Sequence, residues 1–152
     1  MVELTIVIVL VGVIAMTASL LIGQATQSYQ TEDNYSGALN QGRLALEKMG
    51  REIRMIRSPA DITACTVGPP LSLTFTDTAG NVYAYTYSGT ILRENGNTLA
   101  DNLTSLTITY YDKNGVGTSF CTAATWTVTL NLTASQGAEN ISLKMTLHPR
   151  NF

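Results

Sequence analysis

Charge is what this chain has least of. Charged residues make up 13% of its 152 residues, about half the share of an ordinary soluble domain, and the formal net charge is only −2. The shortage is concentrated at the start: residues 1–22 contain one ionisable side chain, Glu3, and the first basic residue is Arg43. A near-neutral chain has no electrostatic drive toward nucleic acid or an acidic membrane surface. Proline is absent before Pro59, so no residue of that kind breaks a helix upstream of it. There is one histidine, His148, next to Pro149. Without a second histidine, a nucleophile elbow or a glycine-rich phosphate loop, hydrolytic and phosphoryl-transfer chemistry lack their residues. We therefore expect no enzyme, no metal and no cofactor. Cysteine is scarce too. Cys65 and Cys121 form no C-x-x-C pair and lack metal-ligand spacing, but they allow one structural disulfide, which implies an oxidising compartment.

What the chain does have is one long apolar run. Residues 4–22 are apolar apart from small or hydroxyl residues such as Thr5, Gly12, Thr17 and Ser19. As a helix this run would span about 28 Å, close to the ~30 Å hydrocarbon core of a bilayer. A cleaved signal peptide fits badly, because the run is too long and neither a basic flank nor an A-x-A site accompanies it. A plain signal anchor fits better, although such anchors normally carry flanking Lys or Arg.

Helical patterning continues past the apolar run. Residues 23–36 are polar, with Tyr29 and Tyr35 among glutamines and threonines. From Leu39 the apolar positions Leu39, Leu46, Met49, Ile53 and Ile56, with Gly42 in the remaining slot, alternate at three- and four-residue steps. That is the seam of a helix packing along one stripe. Glu47 precedes Arg51 in the favourable i,i+4 order. The helix is expected to end near Arg57, ahead of Ser58-Pro59.

Beyond Pro59 the period becomes two. Leu71/Leu73/Phe75, Tyr83/Tyr85/Tyr87, Leu106/Ile108/Tyr110, Trp126/Val128/Leu130/Leu132 and Ile141/Leu143/Met145/Leu147 alternate with polar residues. Turn signals at Gly80-Asn81, Ser88-Gly89, Asn95-Gly96, Asn114-Gly115 and Ser135-Gln136-Gly137 separate them. This predicts an antiparallel sheet with one face covered by the amphipathic stripe. The fold class is α+β, a long N-terminal helix packed on an antiparallel sheet. Residues 1–22 form a transmembrane or filament-core helix, 23–57 its amphipathic continuation, and 58–152 a β-sheet globular domain.

The segment Met1-Val2-Glu3-Leu4-Thr5, followed by Ile6-Val7-Ile8-Val9-Leu10, resembles the N-terminal methylation motif of type IV pilins and pseudopilins. That family begins its mature chain with Phe-Thr-Leu-Ile/Val-Glu-Leu, after a glycine where a prepilin peptidase cuts. Aligned on the glutamate, Met1 falls on the third mature residue, which implies a leader and two mature residues ahead of it. The helix from Arg43 to Arg54, the strand pieces Leu73-Thr74-Phe75, Tyr85-Thr86-Tyr87 and Leu106-Thr107-Ile108-Thr109-Tyr110, and the ending Pro149-Arg150-Asn151-Phe152 are similar to minor pilins of the J-type pseudopilin and mannose-sensitive haemagglutinin group. Gram-negative major pilins usually carry a proline late in the apolar helix, which this chain lacks.

The resemblance implies a pilin-like fold and a structural role, that of a minor or tip-associated pilin in a type IV pilus. The alternatives are a pseudopilin of a type II secretion system and a major pilin, or, from another class, a membrane-anchored periplasmic binding protein. Glu3 would carry assembly by meeting the N-terminal amine of a neighbouring subunit; otherwise it is a solvated carboxylate favoured by the helix dipole. Gly12 either marks a stretch loosened in the fibre or permits close helix contact in lipid. The implied partners are other pilin subunits, the bacterial inner membrane before assembly, the prepilin peptidase and the assembly platform. The final location would be an extracellular pilus or a periplasmic pseudopilus. The basic cluster Arg43, Lys48, Arg51, Arg54 and Arg57, interleaved with Glu47 and Glu52, reads as a solvated or intersubunit face, and DNA is not the expected partner. Asp112-Lys113-Asn114-Gly115 is expected to be a hairpin turn, since it lacks the further acidic ligands of a calcium loop.

Overall fold

A computed structural model of the chain describes residues 2–66, 70–118, 120–122, 124–136 and 139–151. Met1, Gly137 and Phe152, on which the motif alignment, the last turn and the C-terminal ending partly rest, lie outside the described residues.

With no proline to interrupt it, helix α1 runs unbroken over Val2–Ile53, 52 residues, a rod of about 78 Å. It stops short of Arg57. The last turn tightens as Met55 N–H donates to Glu52 O (2.9 Å) and Ile56 N–H to Ile53 O (3.2 Å). Ile56 then pairs as a bridge with Asp77, and Thr78 N–H donates to Met55 O at 3.0 Å. Tertiary pairing thus ends the helix before Pro59 can. That proline opens a short 3-10 turn, Pro59–Asp61, capped by the Ser58 side chain.

The strands form two antiparallel sheets rather than the expected one. The first is a meander of β1 (Ile62–Thr66), β2 (Leu71–Thr76), β3 (Val82–Ser88), β4 (Ile91–Glu94) and β5 (Asn97–Ala100). The second contains β6 (Leu103–Tyr111), β7 (Gly117–Thr118), β8 (Thr127–Gln136) and β9 (Glu139–Leu147), in the order β7-β6-β8-β9. The break falls at Asp101-Asn102, where Asn102 has φ 54°. Asparagine tolerates this left-handed backbone, which turns the chain out of the first sheet instead of closing another hairpin. Asn95 (φ 49°) and Gly96 (φ 85°) both have positive φ and close the β4–β5 hairpin, as an Asn-Gly pair should.

α1 lies across β8 and β9 and reaches β5. Its buried face is Ala38, Gly42, Ala45, Leu46, Met49 and Ile53, set against Leu130, Leu132, Ala134 and Leu147 in one continuous core. The glycines set how closely the helix approaches. A Cβ at Gly42 would stand 2.9 Å from Leu143 Cδ1, and one at Gly50 would stand 2.6 Å from Met145 Sδ. Leu46, Met49, Ile53 and Ile56 are buried, whereas Leu39 is only half-buried at the margin of the contact. Ala38 takes the buried position there.

Cys65 and Cys121 form a disulfide across 56 residues of sequence. It ties β1 of the first sheet to the segment that follows β7 in the second.

Candidate assembly interface

The N-terminal half of α1 has no tertiary partner. It is long and apolar enough to cross a membrane once, and none of that stretch is buried by the rest of the chain. Leu4 and Ile22 are each 68% exposed, and the first buried residue is Ala38. An uncovered apolar surface of this length is not sustained in water; it needs lipid or other helices. The polar atoms within it are prepared for such surroundings. Thr17 Oγ1 donates to Ile14 O at 2.9 Å, and just beyond the run Thr26 donates to Ile22 O and Ser28 to Gln24 O, at 2.9 and 3.0 Å. Hydroxyls bonded back to their own helix add little polarity to an apolar environment.

Glu3 lies on the first turn of α1 and is exposed. There a carboxylate is favoured by the helix dipole. In the isolated chain the helix continues without interruption through Gly12 and Gly23, and a Cβ at either would meet nothing within 4 Å. Their small size therefore has no use within the subunit.

The other half of α1 carries the charges, and here the structure divides the expected cluster. Arg43, Arg51, Arg54 and Arg57 are exposed. Glu47 pairs with Arg43 (Nε–Oε1 3.0 Å) rather than with Arg51, and Arg57 pairs with Asp61 at 2.6 Å. Glu52, which the sequence places on a solvated or intersubunit face, is instead 4% exposed within the subunit and accepts a hydrogen bond from the Tyr85 hydroxyl of β3. One turn earlier, Lys48 forms an ion pair with Glu94 of β4, and Tyr85 and Glu94 are register partners. Two acid-containing contacts therefore join the helix to the first sheet. Burial raises the Glu52 pKa, and Glu94 adds to the rise; the Tyr85 hydrogen bond and the charges of Lys48 and Arg51 oppose it. Burial, together with Glu52, pushes the Tyr85 phenol far up. Sequence reading missed this cluster because Glu52 sits among surface-type residues. The one available signal was its place three residues after Met49 and one before Ile53, on the edge of the apolar stripe.

A raised carboxyl pKa means that the folded state holds its proton more tightly than the unfolded state does. Its stabilising contribution is full below the ordinary value of 4.5 and is lost as pH rises through the folded-state value. Thermal melts of detergent-solubilised Glu52→Gln should therefore gain on wild type as pH increases from 4.5 toward neutrality. A difference that stays flat with pH would contradict this. Tyr85→Phe removes the donor and should destabilise the head by about 2 kcal/mol at neutral pH.

The remaining candidates have structural explanations. Asp112 Oδ1 accepts from the backbone N–H groups of Asn114 (2.9 Å) and Val116 (2.8 Å), which is a side-chain-closed turn. No cluster of metal-binding side chains occurs among the described residues. His148 packs on the Trp126 ring at 4.5 Å, and its Nδ1 lies 2.6 Å from Trp126 O.

No family profile matches the chain, and no curated protein matches it either.

Proposed function

We propose that the chain is a structural subunit of a type IV pilus-type filament, of the minor or tip-associated kind its sequence resembles. The observation that carries this reading is the division of α1. One continuous helix has a bilayer-length apolar half left bare by its own chain and a C-terminal part that, from Ala38 on, buries one stripe against β8 and β9. A simple anchor needs only the first feature. A subunit that moves from bilayer to fibre needs a rigid rod joined firmly to a head, because the apolar surface leaving lipid must be buried again among the helices of its neighbours. Van der Waals packing and small residues such as Gly12 serve that burial. Glu3, at the start of the apolar half, supplies the charged group whose pairing would guide docking.

The test is to shear surface filaments from cells and quantify this chain against the dominant subunit by mass spectrometry. A trace but reproducible amount is expected. Dominance would make it a major pilin. Absence from surface fibres would move it to a periplasmic pseudopilus or to a plain membrane anchor, and cross-linking in the membrane fraction separates those two.

A further inference from the structure

Along α1 the charges are segregated by sign. Residues 2–42 carry Glu3, Glu32 and Asp33 and no base, whereas all five bases of the helix and its following turn fall between Arg43 and Arg57. Three of those five are paired within the subunit: Arg43 with Glu47, Lys48 with Glu94 and Arg57 with Asp61. Arg51 and Arg54 are exposed and have no ion-pair partner among the described residues. The same holds for Glu32 and Asp33 on the neck that joins the apolar half to the head. That neck is polar, and residues 23–33 are exposed throughout.

The geometry relates the two unpaired sets. Asp33 and Arg51 are separated by five full helical turns, so they share one face of the rod at an axial distance of about 27 Å; Glu32 and Arg54 are about 33 Å apart. This face is opposite the buried Ala38–Met49 stripe and so is open to a neighbour. Membrane headgroups are the wrong distance away to satisfy the arginines. Arg51 stands about 43 Å along the helix from Ile22, several times the screening length of about 8 Å at physiological salt.

Resting on the filament reading, we propose that the acidic neck of one copy, Glu32 and Asp33, docks on Arg51 and Arg54 of a second copy of this chain displaced by about 27–33 Å along the fibre. Parallel rods at this offset meet sign to sign, whereas rods in register set like charges side by side. Opposed potentials of this kind fix register more than they add affinity. The contact thus selects an axial offset that apolar packing of the span alone would leave loosely determined.

The test is charge reversal in the full-length chain, read as its amount in sheared filaments. Glu32→Arg with Asp33→Arg, or Arg51→Glu with Arg54→Glu, should each lower incorporation about tenfold through like-charge contact, and combining all four should restore it. These side chains are exposed, so the Cys65–Cys121 disulfide and the membrane level of each variant should match wild type. In a second experiment, Asp33→Cys with Arg51→Cys should yield intermolecular cross-links in fibres. Normal incorporation of either reversed pair, or failure of the fourfold variant to recover, overturns the contact. Glu3→Leu serves as the reference. If it blocks incorporation while the reversed pairs assemble normally, the contact alone is wrong. If it too assembles normally, Glu3 has no part in assembly; the filament reading itself falls only if the wild-type chain is absent from sheared fibres.

Discussion

Glu3→Leu is expected to cut incorporation into filaments by at least about tenfold while leaving the folded head unchanged. A carboxylate in a transmembrane helix costs about 2.5–3.5 kcal/mol at the bilayer centre on insertion scales and less near the interface, so leucine should hold the helix in lipid at least as well. What leucine removes is the negative charge available to a neighbouring subunit. The loss should therefore appear at docking, not at insertion. Glu3 lies about 50 Å along the rod from Ala38, the first buried residue of the helix, and sites that far apart with no shared partner act independently. Thermal stability of the head and formation of its disulfide should match wild type. Glu3→Asp keeps the charge and should retain part of the incorporation; Glu3→Gln should behave like leucine. Normal amounts of Glu3→Leu chain in sheared fibres would remove the assembly role of this residue.

Replacing Cys65 and Cys121 together by serine should produce the largest loss of stability of any change away from the helix. The bond joins residues 56 apart in sequence, and the chain-entropy relation gives about 4 kcal/mol for a loop of that size. The two sheets also meet at the corner where Leu103 N–H donates to Thr90 O (2.9 Å) and the Tyr87 hydroxyl donates to Leu103 O (3.2 Å), and both contribute to the core beneath the helix. β1 is an edge strand, and β7 is a two-residue edge strand. Without the bond both edges are expected to open first. A melting temperature lower by 10 °C or more is on the order expected for a domain of this size, with new protease cleavage near residues 62–66 and 117–122. Reductant added to wild type should reproduce the shift, and a shift below about 2 °C would show that the loop is closed by other contacts.

Both results concern features that differ in how far they are legible from sequence. Hydropathy alone identifies the apolar half, because membrane-crossing length is a property of consecutive residues and needs no knowledge of the rest of the chain. The three-four spacing of Leu46, Met49 and Ile53 and the alternation in β2, β3, β6, β8 and β9 are likewise local. They match the periods of helix and strand, and the structure places most of those residues in the core, with Tyr83, Leu143 and Met145 packed at its margin and Trp126 outside β8. The Cys65–Cys121 pairing follows from there being only two cysteines.

Tertiary structure decided what no window of sequence contains. The helix ends at Ile53 because Ile56 is drawn into a bridge with Asp77, a residue brought near only by folding. The strands divide into two sheets because Asn102 turns the backbone at one position, which leaves the alternation on either side unaltered. Glu52 looks like its exposed neighbours and yet is buried, because Tyr85 arrives from a strand 33 residues later. Gly50 looks like a weak point in a helix until Met145 occupies the space a side chain would take. Periodicity reports which face of an element turns inward, since that depends on its own repeat. What that face meets depends on long-range placement, which is why the rod and its apolar half could be read from the chain while the partners of its charged residues could not.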